Sequence, residues 1–161
     1  MAILDNIRNI MNKVIRIVCI LLFAFMVIIG TYQILVRYIF NSPSTVSEEL
    51  LTYSFTWMSL FAAAYVFGKR EHMRMGFLAD KLSEKKLTIL NAIIEIITIA
   101  FALIVMVYGG ISITSLSMTQ KTASLGIPMG YIYIVIPITG VVIALYGVLN
   151  VVGLIRKGEN A

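Results

Sequence analysis

One cysteine (Cys19), one histidine (His72), one tryptophan (Trp57) and three prolines stand among the 161 residues. A lone cysteine closes no internal disulfide and builds no metal cluster, and Cys19 falls inside an apolar stretch where a packing role is expected. A lone histidine cannot supply a haem's paired axial ligands, which argues against a cytochrome-type membrane anchor. Charged residues make up only 13% of the chain, against about a quarter in a soluble domain. No glycine-rich phosphate loop, nucleophile elbow or metal-ligand spacing is present. No enzyme is expected, and no catalytic, cofactor-binding or metal-ligating residue is assigned.

What is abundant is hydrocarbon. Apolar residues make up 60% of the chain, and the mean hydropathy is +0.94. A bilayer core about 30 Å thick takes roughly 20 apolar residues of helix, and four stretches are long enough. Residues 17–36 and 50–68 carry no charge, 87–120 carry only Glu95, and 122–155 carry none. Backbone groups in hydrocarbon must be satisfied within their own segment, and these runs are too long and unpatterned for barrel strands. The fold class is therefore all-α, a single polytopic membrane domain with four spans at about 17–37, 48–68, 87–117 and 128–155.

The formal charge of +5 is read as topology rather than as nucleic-acid binding. Arg8, Lys13, Arg16, Lys69, Arg70, Arg74, Lys81, Lys85, Lys86, Arg156 and Lys157 all fall on one side of the four spans, and only Arg37 and Lys121 on the other. The positive-inside bias places both termini and the loop 69–86 in the cytoplasm. The first apolar run exceeds a signal-peptide core of roughly 7 to 15 residues and lacks a small-x-small cleavage site, so it is expected to be retained. Ile3, Ile7, Ile10 and Val14 recur at helical spacing beside Arg8, Lys13 and Arg16, which predicts an interfacial amphipathic helix feeding the first span. Met73, Met75, Phe77, Leu78 and Leu82 among the basic residues of the middle loop suggest the same there, pressed against anionic lipid headgroups.

Between the first two spans, Asn41-Ser42-Pro43-Ser44-Thr45 is a tight polar turn, and Thr45-Val46-Ser47-Glu48 reads as a capping box that starts the second helix. Glu48 and Glu49 then occupy the first turn, where the helix dipole favours carboxylates. Arg37 is expected to snorkel to the outer interface, or else to pair with Glu48 or Glu49. Glu95 is expected at the opposite interface, paired with a lysine; as a proton or sodium carrier it would make the chain a stand-alone homo-oligomeric four-helix transporter. In the fourth span Pro137 should kink the helix, and Gly140, Ala144 and Gly147 form a small-residue stripe for close approach of another helix, of this chain or another.

Ser47-Glu48-Glu49-Leu50, Tyr53, Phe55-Thr56-Trp57, Ala62-Ala63-Ala64 and Lys69-Arg70-Glu71-His72, followed by Tyr108-Gly109, Thr122 to Pro128, Tyr133 and Ile136-Pro137, run in order along nearly the whole chain. Together they resemble the small membrane subunit (DctQ-type) of tripartite ATP-independent periplasmic (TRAP) transporters. Val46, where that family often has tryptophan, and Met75-Gly76, where Val-Asp is usual, depart from the pattern. The resemblance implies an accessory subunit in a bacterial inner membrane, bracing a large DctM-type subunit. Fed by a periplasmic substrate-binding protein, that large subunit would import organic acids such as C4-dicarboxylates or sialic acids and would itself hold the coupling sodium ions. This chain would hold no cofactor, and Arg37, Glu48, Glu49, Trp57, Arg70, His72, Glu95, Pro137, Gly140 and Gly147 would be its helix-end or subunit-interface residues.

Overall fold

The computed structural model describes residues 2–69 and 84–159, and these form four membrane-length helices with no strand among them. The first, α1 (Ala2–Ile39), runs 38 residues without a break, about 57 Å at 1.5 Å per residue and nearly twice a hydrocarbon core. The amphipathic N-terminal segment is thus continuous with the span. Ile7, Ile10 and Val14 face outward while Ile15, 4% exposed, turns inward. The helix stops with Asn41 in the left-handed region (φ 51) and the Ser42 N–H returning to the Val36 carbonyl, six residues back, at 3.3 Å, which satisfies a terminal carbonyl.

After this turn comes α2 (Thr45–Lys69). Its cap sits one residue earlier than the sequence pattern indicates. Ser44 Oγ accepts from the Ser47 N–H at 3.4 Å and from the Ser47 hydroxyl at 2.8 Å. The cap is therefore the pair Ser44 and Ser47, not Thr45 and Glu48, because a serine three residues ahead already meets the first exposed donor. Glu48 is left free for a contact with another helix. The loop 70–83, with Arg70, His72 and the amphipathic segment expected there, lies outside the described residues.

Residues 84–119 form α3, in which α-helix (Glu84–Phe101) gives way to π-helix (Ala102–Gly109), α-helix (Gly110–Leu116) and a 3-10 turn (Ser117–Thr119). The Gly110 N–H is shared between the Met106 and Val107 carbonyls where the wide turns end. Residues 130–159 form α4, a short turn (Gly130–Tyr133) and a long segment (Val135–Glu159) joined at Ile134. The interruption falls about a turn before Pro137, which has no N–H to offer the Tyr133 carbonyl.

Helix α1 lies along α2, α2 on α4, and α4 on α3, while α1 meets α4 only marginally. The row is open rather than closed into a ring, and α4 is its most enclosed member: of an apolar 18-residue stretch in each helix, 44% is buried in α4, against 6% in α1, 11% in α2 and 6% in α3. The core between the inner helices is small: Ala64, Ala102, Ile143 and Ala144, flanked by Phe67, Met106 and Val142. Helices in lipid gain nothing from burying apolar surface as such, so small residues and the dispersion contact they allow hold them together.

Candidate functional site

Two polar clusters fasten opposite ends of this row. At the end where the termini meet, Arg8 of α1 donates from Nη2 to Asn150 Oδ1 at 2.7 Å, and Asn150 donates from Nδ2 to Glu95 Oε1 of α3 at 2.9 Å. Asn150 is 2% exposed, so one buried amide joins a cation and a carboxylate from two other helices. A turn nearer the middle, the buried Tyr146 donates its hydroxyl to Asn12 Oδ1 at 2.7 Å, and its ring lies where a side chain at Gly68 would stand. The polar side of the N-terminal segment thus faces α4.

At the other end, Glu49 of α2 reaches the connection between α3 and α4. Its Oε1 accepts from the Ala123 N–H at 2.8 Å and from the Tyr53 hydroxyl at 3.1 Å. Its Oε2 accepts from the N–H groups of Ser124 and Leu125, at 3.1 and 2.8 Å. Three successive backbone donors converging on a carboxylate make a nest of the kind that holds anions, here filled by the protein's own side chain. The connection is shaped for this by mutual bonds between Thr122 and Ile127, Thr122 N–H to the Ile127 carbonyl at 2.9 Å and Ile127 N–H to Thr122 Oγ1 at 3.2 Å, and by Gly126 at φ +67.

Two turns along α2, the Trp57 indole donates to the Ile132 carbonyl at 3.0 Å, just before the interruption in α4, and Phe61 stacks edge-on at 6.3 Å. Below the break, Pro137 lies over Gly110 of α3, where a Cβ would come within 2.9 Å of its Cδ. Gly140 sits on the π-helix, with no room for a Cβ beside the Met106 side chain, and Gly147 lies against Ile99. The small-residue stripe of α4 is therefore covered by α3 of the same chain.

Glu48, exposed, accepts from Gln33 Nε2 of α1 at 3.2 Å, while Arg37 stands exposed at the end of α1. Glu95, for which a lysine partner is expected, is engaged by Asn150, far from Glu48 and Glu49. Asn150, Tyr146, Arg8 and Gly110 escaped the sequence reading. The only asparagine in the charge-free run 122–155 was the available signal. Among the described residues no group of three His, Cys, Asp or Glu side chains could hold a metal ion.

The family model for the DctQ component of tripartite ATP-independent periplasmic transporters matches residues 26–157. The sialic acid TRAP transporter small permease protein SiaQ of Vibrio cholerae is 31% identical over 143 residues, covering 86% of this chain and 79% of that protein. A TRAP transporter small permease protein of Haemophilus influenzae is 25% identical over 139 residues, covering 86% of both chains.

Proposed function

This chain belongs to the family of DctQ components of tripartite ATP-independent periplasmic transporters, and we propose that it is the non-moving brace of the large membrane subunit in a sodium-coupled, binding-protein-dependent importer of organic acids. As a family member it is a multi-pass transporter subunit and not an enzyme. The observation that carries the brace reading is where its polar side chains are spent. Glu95, Asn150 and Arg8 tie one end of the row, Glu49 and Trp57 tie the other, and little but hydrocarbon faces outward from α1 and α3. A carrier needs polar groups free to bind a substrate near the midplane; a brace needs them used in holding helices together.

On this reading the large subunit carries substrate and sodium, and the periplasmic binding protein docks on the membrane pair. Sialic acid is the first substrate to assay, because the small permease protein of Vibrio cholerae that resembles this chain is named for it; C4-dicarboxylates come next. The termini, which meet through Arg8 and Asn150, would lie in the cytoplasm of a bacterial inner membrane, the side that the basic residues indicate. The test is uptake into proteoliposomes under an inward sodium gradient, with binding protein outside and the large subunit present with or without this chain. Full uptake by the large subunit alone would end the brace reading.

A further inference from the structure

Lipid-facing positions on α1 and α3 are large and apolar: Leu21, Phe23 and Ile28 on the one, Ile97, Leu103 and Ile104 on the other. Helix α2, the least apolar of the four spans, is different. Thr45, Glu48, Thr52, Thr56, Ser59 and Ala63 follow one another at three- and four-residue steps, which places them on one face, and all six are exposed. The hydroxyls of Thr52, Thr56 and Ser59 donate to the carbonyls of Glu48, Thr52 and Phe55 at 2.9, 3.0 and 2.8 Å. Their donors are thus spent inside the helix, and a narrow, dry strip of short side chains remains, bordered by the exposed Phe55. Such a face gives lipid tails few contacts, but it lets another helix backbone come close.

We propose that this face of α2 receives a transmembrane helix of the large partner subunit, one that presents a cation or hydrogen-bond donor at the depth of Glu48. The inference rests on the accessory-subunit reading above and names the surface through which it acts. Charge decides against a second copy of this chain. Two copies in one membrane share an orientation, so a twofold contact through α2 would set Glu48 beside Glu48 at equal depth, and opposed like charges disfavour that pairing. A different chain meets no such obstacle.

The experiment co-expresses this chain with a tagged large membrane subunit of the same transporter and measures how much chain is retained on it in mild detergent. The chain's own yield in membranes serves as the check on folding. Thr56→Trp and Ser59→Trp are expected to reduce retention about tenfold by overfilling the contact, while Ile28→Trp on α1 and Ile97→Trp on α3 leave it at the wild-type level. Equal retention for all four at equal yield overturns the proposal. So does an oxidative homodimer of Ser59→Cys in a Cys19→Ala background, which would make the occupant a second copy. If the wild-type chain is not retained at all, the accessory-subunit reading fails, and this inference with it.

Discussion

The Glu49 carboxylate of α2 accepts from the backbone N–H of Leu125 at 2.8 Å, across 76 residues of chain. Together with the bonds from Ala123 and Ser124, it makes the connection between α3 and α4 an attachment of α2. Glu49→Gln keeps one acceptor oxygen but turns an amide NH2 toward backbone donors. Hydrogen exchange at the 123–125 amides should then rise on the order of tenfold, as expected when charge-assisted bonds are lost. Unchanged protection would mean that the connection holds its shape without the clamp.

Asn150 serves Arg8 and Glu95 through opposite ends of one amide. Asn150→Leu leaves both without that partner and should cost about 2–4 kcal/mol of unfolding free energy in micelles. Asn150→Asp should also destabilise, because it sets a carboxylate against Glu95. Adding Glu95→Gln should restore much of the loss, since a glutamine amide can donate where Glu95 accepts. Failure of the double variant to recover would show that Glu95 and Asn150 are not coupled in this way.

Three glycines should respond differently to a methyl group or more. Gly30→Ala places its Cβ 3.9 Å from Leu51 and should be near neutral. Gly126→Ala meets nothing within 4 Å but sits at φ +67, so it should cost about 1–2 kcal/mol in backbone strain. Gly110→Val drives into Pro137 and should lose about 1–3 kcal/mol by forcing α3 from α4. Thermal denaturation in one detergent orders the three.

Replacing Trp57 with phenylalanine keeps an aromatic ring near Phe61 but removes the bond to the Ile132 carbonyl, at a cost of about 1 kcal/mol. Pro137→Ala gives the Tyr133 carbonyl an N–H partner and should let α4 run unbroken. The emission of Trp57, the only tryptophan in the chain, reports whether the indole keeps its partner there. An unmoved spectrum in Pro137→Ala would separate the indole bond from the interruption.

Glu95→Gln can still accept from Asn150, and it removes any role as a carrier of protons or sodium. Uptake by the reconstituted transporter should stay close to the wild-type rate. Loss of coupling at normal yield would return the mechanism to the stand-alone, Glu95-based transporter.

The spans were legible because hydrocarbon leaves its length in the sequence as charge-free runs, and the turn between α1 and α2 came with Asn41 and Pro43. The clamp was not legible. A carboxylate in the first turn of a helix is already accounted for by the helix dipole, and its donors at Ala123, Ser124 and Leu125 contribute only backbone, which no side-chain pattern marks. The π-helix at Ala102–Gly109 is apolar on every side, so its five-residue spacing leaves no trace in the residue order. The stripe of Ile7, Ile10 and Val14 was visible, yet periodicity does not say which side of a helix a neighbour takes; here Arg8, Asn12 and Ile15 face inward.

Because α1 rests on α2 and α3 on α4, the chain consists of two helical hairpins joined along the seam between α2 and α4, with Arg8 and Asn12 of α1 also reaching α4 at one end. Each hairpin is made of consecutive segments, so the first can enter the bilayer and close while the ribosome is still producing the second. What the second must then find is the face of α2 and the polar end of α1 rather than a ring of neighbours, and the Glu49 clamp and the Trp57 bond fix its register as it arrives. A break in the chain between residues 69 and 84 would leave both halves whole, and two separately translated fragments should meet in the membrane and rebuild the subunit.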